Sequence, residues 1–230
     1  MAPEFEREGF VVLGPLLDPA EVAALCAMAD PLLVSKAGAR PGVRRVFERE
    51  PRMIGVLRGT RVAGVVRSAG GPAARVVRTI LFDKSPGSNW AVPWHQDAVV
   101  ALRERHEVDG FGPWSVKDGE PHARPPREVL DRIGVLRIGL DVCGPGNGPV
   151  RVIPGSHRWG VLGAEALEAA VAAGPVVECC TQEGGALLMR PHLIHASSRS
   201  DEAARRRVLH IEFTSAELPA PLEWAEDVVL

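Results

Sequence analysis

The sequence is short of the features that would classify it quickly. Its four cysteines, Cys26, Cys143, Cys179 and Cys180, are not spaced as the ligand pairs of a zinc site. Cys179 and Cys180 are adjacent, so on a strand they point to opposite faces and make poor disulfide partners. Buried reduced thiols are the expected state. No run approaches the ~20 apolar residues that a membrane span needs. The start, Met1-Ala2-Pro3-Glu4-Phe5-Glu6, is acidic and has neither a basic segment nor an apolar stretch, so no secretory leader and a cytoplasmic location are expected. Charge of one sign is missing too. The 27 Lys and Arg against 29 Asp and Glu leave a net −2, which argues against a general nucleic-acid-binding surface. Neither a repeat nor a low-complexity linker divides the chain, so one domain over 1–230 is expected. With 46% hydrophobic residues, that domain can bury a full core.

What is present begins with one strand and two helices. Gly9-Phe10-Val11-Val12-Leu13 is a β-branched run closed by Gly14-Pro15. Asp18 offers an N-cap, Pro19 the first helical position and Glu21 a capping box, and Val22, Leu25, Cys26 and Ala29 follow with helical spacing. A helix over 19–29 results. Residues 35–45 lack periodicity and predict a mobile loop, and a second helix runs from 51 to about 66, ended by Gly70-Gly71-Pro72.

Strands follow at 74–82, 90–97, 134–143, 150–153, 176–180, 186–189 and 208–214, with turn signals at 83–89 and 144–149. Residues 127–132 suit a helical turn and 164–172 a short helix. The polar stretch 103–126 is an excursion of the length usually kept for function. Residues 216–230 read as a tail over the surface. Helices followed by about eight short strands favour a mainly β fold, a double-sheet jelly roll with flanking helices.

Chemistry concentrates in Trp94-His95-Gln96-Asp97 and in Arg190-Pro191-His192-Leu193-Ile194-His195. On an extended strand the side chains of His95 and Asp97 leave the same face. A third ligand from a distant strand would complete one face of an octahedron. Two histidines and one carboxylate with open positions opposite suit a non-haem Fe(II) oxygenase, although zinc or nickel accept the same donors. His192 and His195 are three apart and would face opposite ways on one strand, so only one can join. Arg205-Arg206-Arg207 precedes the last strand. An arginine there is a bidentate clamp for a carboxylate, and two of the three read as a solvated turn. His122 lies in the long excursion as a substrate gate or an exposed residue. His210 lines a pocket or packs in the core, and His157, after Pro154-Gly155, reads as a turn element.

Taken together, the chain resembles the phytanoyl-CoA dioxygenase family of Fe(II)/2-oxoglutarate oxygenases. The resemblance rests on the opening strand and helix, on Trp94-His95-Gln96-Asp97, and on Asn147-Gly148-Pro149-Val150-Arg151-Val152-Ile153-Pro154-Gly155-Ser156-His157. It rests also on Arg190-Pro191-His192-Leu193-Ile194-His195-Ala196-Ser197, with Arg206 eleven residues after His195. It implies a double-stranded β-helix, with His95, Asp97 and His195 as iron ligands. Arg206 and Ser197 would hold the far carboxylate of 2-oxoglutarate, and Gln96 would touch that cosubstrate. Arg137 stands where some relatives have an aromatic residue, so its role stays open between a second anion contact and a pair with Asp141. The carboxylate at Asp97 implies hydroxylation rather than halogenation, which needs a small residue there. The expected reaction consumes Fe(II)-activated O2 and 2-oxoglutarate and acts on a small molecule of polar or anionic character, without nucleic acid or membrane. The competing expectation is a cupin-like metal-binding protein without oxygenase activity.

Overall fold

The computed structural model describes residues 2–35, 38–39, 42–201 and 204–230. Helix α1 (Ala2–Glu8) and strand β1 (Phe10–Leu13) lead into helix α2 (Pro19–Leu33). Asp18 caps α2 as its side chain requires: it accepts the Glu21 N–H at 2.8 Å, while Glu21 accepts the Asp18 N–H at 2.8 Å. The helix runs on to Leu33 because that side chain is buried in the core.

The described residues of 35–45, expected to be a mobile loop, include strand segments. Val34–Ser35 (β2) pairs with Gly38–Ala39 (β3), and Gly42–Arg44 (β4) joins the edge of the main sheet. Residues 36, 37, 40 and 41 lie outside the described residues. After α3 (Val46–Arg49), the single helix expected from 51 is two, α4 (Arg52–Arg58) and α5 (Arg61–Gly70). The break falls at Thr60, whose extended backbone and hydroxyl cap α5 by accepting the Val62 N–H at 3.2 Å.

Strands β5 (Arg75–Lys84), β6 (Val92–His95) and β7 (Val100–Ala101) follow, then β8 (Trp114–Lys117) and β9 (Glu120–Ala123). The excursion over 103–126 is therefore not a bare loop, because β8 and β9 form a hairpin that pairs with β7. Next come α6 (Arg127–Leu130), β10 (Gly134–Gly139), β11 (Val150–Val152), α7 (Ala164–Ala173), β12 (Val177–Cys179), β13 (Ala186–Met189), β14 (His195–Ser197) and β15 (Arg206–Thr214).

Two antiparallel sheets carry the architecture, one ordered β1-β13-β10-β15-β5-β4 and the other β12-β11-β14-β6. Alternation along the strands assigns the faces of the large sheet. Leu81, Leu136, Ile138, Leu209, Ile211 and Phe213 join one core cluster with Leu25, Leu57 and Val66 of the helices. The intervening residues Ile80, Phe82, Lys84, Arg137, Arg206 and His210 face a cavity that the small sheet closes from the other side.

The segment 216–230 is also no loose tail. Ala216, Leu222, Trp224 and Glu226 are buried, Val228 pairs with Val76, and Trp224 pairs with Leu102. Among the described residues no helix is long and apolar enough to cross a membrane.

Candidate metal and anion site

Strands β6 and β14 are antiparallel neighbours, and their register puts His95 directly opposite His195. The ring centroids are 4.2 Å apart. Asp97 is not on the strand with His95. It lies two residues beyond β6, where its N–H bonds the Pro191 carbonyl at 2.9 Å. That bond turns its carboxylate toward both histidines, with oxygens 3.7 Å from His95 Nε2 and 3.7 Å from His195 Nε2. One donor atom from each of the three residues lies within 4.8 Å of the others.

The tautomers suit a metal. His95 Nδ1 donates to the Pro93 carbonyl at 2.9 Å, and His195 Nδ1 donates to the Leu193 carbonyl at 2.8 Å. With Nδ1 so engaged, each ring turns Nε2 toward Asp97. Burial, only partly opposed by Asp97, pushes His195 down to about 4, so it is an uncharged donor at neutral pH. Burial would raise the Asp97 carboxyl, but His195, His95 and Arg78 outweigh it and hold the group at about 2. Two imidazoles and one carboxylate are a donor set that fits a divalent cation with open positions.

The deep end of the same cavity, about 200 Å³ in volume, is cationic. Arg206 opens β15 and is 3% exposed; its Nη1 donates to the Gly148 carbonyl at 2.7 Å, and among the described residues its Nε has no partner. Lys84, opposite it on β5, donates to Ser197 Oγ at 3.1 Å and stands 5.4 Å from the Trp90 ring. Burial, then Arg206 and Arg137, pushes Lys84 down to about 8. Arg137 packs over Phe82 and donates to His210 Nδ1 at 2.9 Å; burial lowers it to about 10. Asp141 is not its partner, because Arg207 takes both oxygens of that carboxylate at 2.7 and 2.9 Å. Arg205 binds Asp83 and Asp30, so the two flanking arginines are ion-paired rather than merely solvated, and Arg206 alone of the three faces the cavity.

Gln96 is not brought into this cavity. Its Nε2 donates to the Gly160 and His192 carbonyls, both at 2.7 Å, and its Oε1 accepts the Leu162 N–H at 2.7 Å. It borders instead a second cavity of about 650 Å³ beside α7. His122, expected in an open loop, is fully buried on β9, where burial and Arg78 push it down to about 4. His210 lines the cavity, and His192 contacts Asp131 at 3.1 Å. His157 is a buried turn residue: a Cβ on Gly9, whose φ is +78°, would stand 2.3 Å from its Nδ1. Lys84 and Arg78 escaped the sequence reading. Lys84 lies in what looks like a turn signal, and only its register with Arg206 reveals it.

The fold and site together define a class, the double-stranded β-helix proteins, here with a His–Asp–His cluster that could hold a metal. The chain belongs to the phytanoyl-CoA dioxygenase family, whose model matches residues 5–208. An ectoine dioxygenase of Sphingopyxis alaskensis is 29% identical over 170 residues, 68% of this chain and 49% of the relative, so the match spans about half of that protein. The ectoine dioxygenase of Nocardia farcinica is 27% identical over 93% of this chain and 76% of its own length. Among solved structures, AviO1 from Streptomyces viridochromogenes Tue57 aligns with a TM-score of 0.67 at 26% identity, over 95% of this chain and 96% of that one. EctD from S. alaskensis, solved with 2-oxoglutarate and 5-hydroxyectoine, aligns with a TM-score of 0.71 at 23% identity, over 93% and 74%.

Proposed function

We propose that the protein is an Fe(II)- and 2-oxoglutarate-dependent dioxygenase that hydroxylates a small polar or anionic molecule. The observation that carries this reading is the presence of two features in one cavity, a His95–Asp97–His195 donor face and the buried Arg206–Lys84 cation pair. A metal-binding protein without oxygenase activity has no use for the second. Relatives named ectoine dioxygenase, and a fold neighbour solved with 2-oxoglutarate, support it.

His95, Asp97 and His195 would hold the iron. Iron with bound 2-oxoglutarate supplies the oxidising chemistry, in which one atom of O2 enters the substrate as hydroxyl and the other enters succinate as CO2 leaves. Arg206 offers its unpartnered Nε to the far carboxylate of the cosubstrate, and Ser197 and Lys84 offer a hydroxyl and an ammonium beside it. Arg137 lines the same cavity as a further cation, and the carbonyl-bound Nδ1 atoms keep both imidazoles aimed. Ile80, Phe82, Val92 and Val150 line the cavity with apolar surface that keeps water from the reacting groups. Asp97 occupies a ligand position with a carboxylate, which favours hydroxylation.

The deciding experiment is succinate formation from 2-oxoglutarate by the Fe(II)-loaded protein, with and without O2. Turnover that needs both iron and O2 is expected. Metal binding with no such turnover, across a panel of small polar metabolites, would overturn the assignment in favour of a non-oxygenase metal protein.

A further inference from the structure

Six cationic side chains line the catalytic cavity, Arg44, Arg78, Lys84, Lys117, Arg137 and Arg206, against one carboxylate, Asp97. They form two groups. Lys84, Arg137 and Arg206 belong to the buried end already assigned to the cosubstrate. Arg78 is neutralised by Glu212, whose oxygen lies 2.7 Å from its Nη1. Arg44 and Lys117 are left over at the outer end. Arg44 comes from β4 and Lys117 from β8, so two separate sheets deliver them to one rim.

Neither is well compensated. Among the described residues Arg44 Nε meets only Asp118, at 2.9 Å, and that carboxylate is 80% exposed, so the pair is worth little. Among the described residues Arg44 Nη1 is buried with no partner. Lys117 forms no ion pair among the described residues, and partial burial followed by Arg78 and Arg44 lowers its ammonium from the usual range. Loading the site does not relieve the excess, because a divalent iron and a doubly charged 2-oxoglutarate cancel. Field lines from such a rim select anions.

Resting on the function proposed above, we infer that the substrate carries an anionic group, carboxylate or phosphate, and that Arg44 and Lys117 bind it at the mouth of the cavity. The bond to be oxidised then lies on the side of the substrate away from that anion, toward the His–Asp–His face. Arg44 and Lys117 are thereby specificity-determining residues, and a neutral analogue loses affinity rather than reactivity.

The test uses the full chain loaded with Mn(II), which is redox-silent, and saturated with 2-oxoglutarate. Inorganic phosphate and acetate are titrated separately by calorimetry. The wild type should bind one anion in addition to 2-oxoglutarate, and the preferred probe distinguishes a phosphate ester from a carboxylic acid as the substrate's source of charge. Lys117→Gln and Arg44→Gln should each weaken that binding at least tenfold. Arg105→Gln, which loses a surface pair with Glu107 and a contact over the Trp114 ring, both outside the cavity, should not change it. Absence of binding once 2-oxoglutarate is saturating, or wild-type affinity in Lys117→Gln, overturns the inference. Failure of the function itself looks different: 2-oxoglutarate would not bind in a metal-dependent way, and the Lys117→Gln comparison without it still judges the rim.

Discussion

Lys84 and Arg206 stand opposite each other on adjacent antiparallel strands, and both are almost sealed from solvent, 1% and 3% exposed. Among the described residues neither forms an ion pair. Their polar contacts are Ser197, Ser198 and the Gly148 carbonyl, with the Cys143 sulfur beside Arg206. Two buried like charges oppose folding, so the pair makes physical sense as the receiver of a dianion.

Removing either cation should therefore separate binding from stability. Arg206→Ala is expected to weaken 2-oxoglutarate by ~2–5 kcal/mol, roughly 30-fold to a few thousand-fold in Kd. Lys84→Met should also weaken it, yet raise the melting temperature of the ligand-free protein, because a repelled charge is replaced by an apolar chain of similar length. Calorimetric titration and thermal unfolding check both. Unchanged cosubstrate affinity in Arg206→Ala would remove its assigned role.

The Lys84 ammonium also sets a pH limit. Burial and the two nearby guanidinium groups bring it down to about 8, so its charge is present below that pH and is lost as pH rises through it. The Kd for 2-oxoglutarate should be flat from pH 6 to 7.5 and rise above 8, and Lys84→Met should abolish that rise. A wild-type alkaline limb that survives in the variant would assign it elsewhere.

Gln96 discriminates a structural bracket from a cosubstrate contact. Its three amide hydrogen bonds tie β6 to the segments at 160–162 and 192. Gln96→Ala leaves those groups unpaired and should cost ~1–3 kcal/mol of stability, with 2-oxoglutarate affinity within twofold of wild type. Denaturant unfolding reads the first and calorimetry the second. A large loss of cosubstrate affinity at unchanged stability would reverse this assignment.

Asp97→Ala should abolish Fe(II)-dependent succinate formation and weaken Mn(II) binding strongly, since one of three protein donors and the only charged one is removed. Electron paramagnetic resonance of bound Mn(II) gives a reading independent of turnover. A fully active Asp97→Ala protein would refute the ligand set.

Glu226 makes the C-terminal segment pH-sensitive. Burial, against the opposing hydrogen bonds from Thr79, raises its carboxyl to about 7. A raised value in the folded state means the contribution is complete below the unfolded value near 4.5 and is lost as pH rises through about 7. Glu226→Gln mimics the protonated form, so it should match wild type near pH 4.5 and become progressively more stable toward pH 7.5. Equal stability across that range would count against the assignment.

Particular residues mark how far the sequence could be read. The Asp18–Pro19–Glu21 start, the β-branched strands and the spacing from His95 to His195 to Arg206 were all legible, because capping, alternation and short motifs act locally. The pairing of the hairpin within 103–126 with β7 and the burial of Trp224 were not, since each depends on a partner elsewhere in the chain, and the break at Thr60, a local cap, is hidden by apolar spacing that continues across it. Gln96 illustrates the same limit: its place beside two ligands suggests the cavity, while the carbonyls of Gly160 and His192 draw its side chain the other way.

The amino-acid order alone thus pointed to the mainly β class and to His95, Asp97 and His195 as candidate donors, because strand alternation and short motifs are properties of local segments. Only the tertiary structure decided which cations share the cavity. Lys84 meets Arg206 through strand register, and Arg44 meets Lys117 through two sheets, and pairing across sheets is set by the packing of the whole chain.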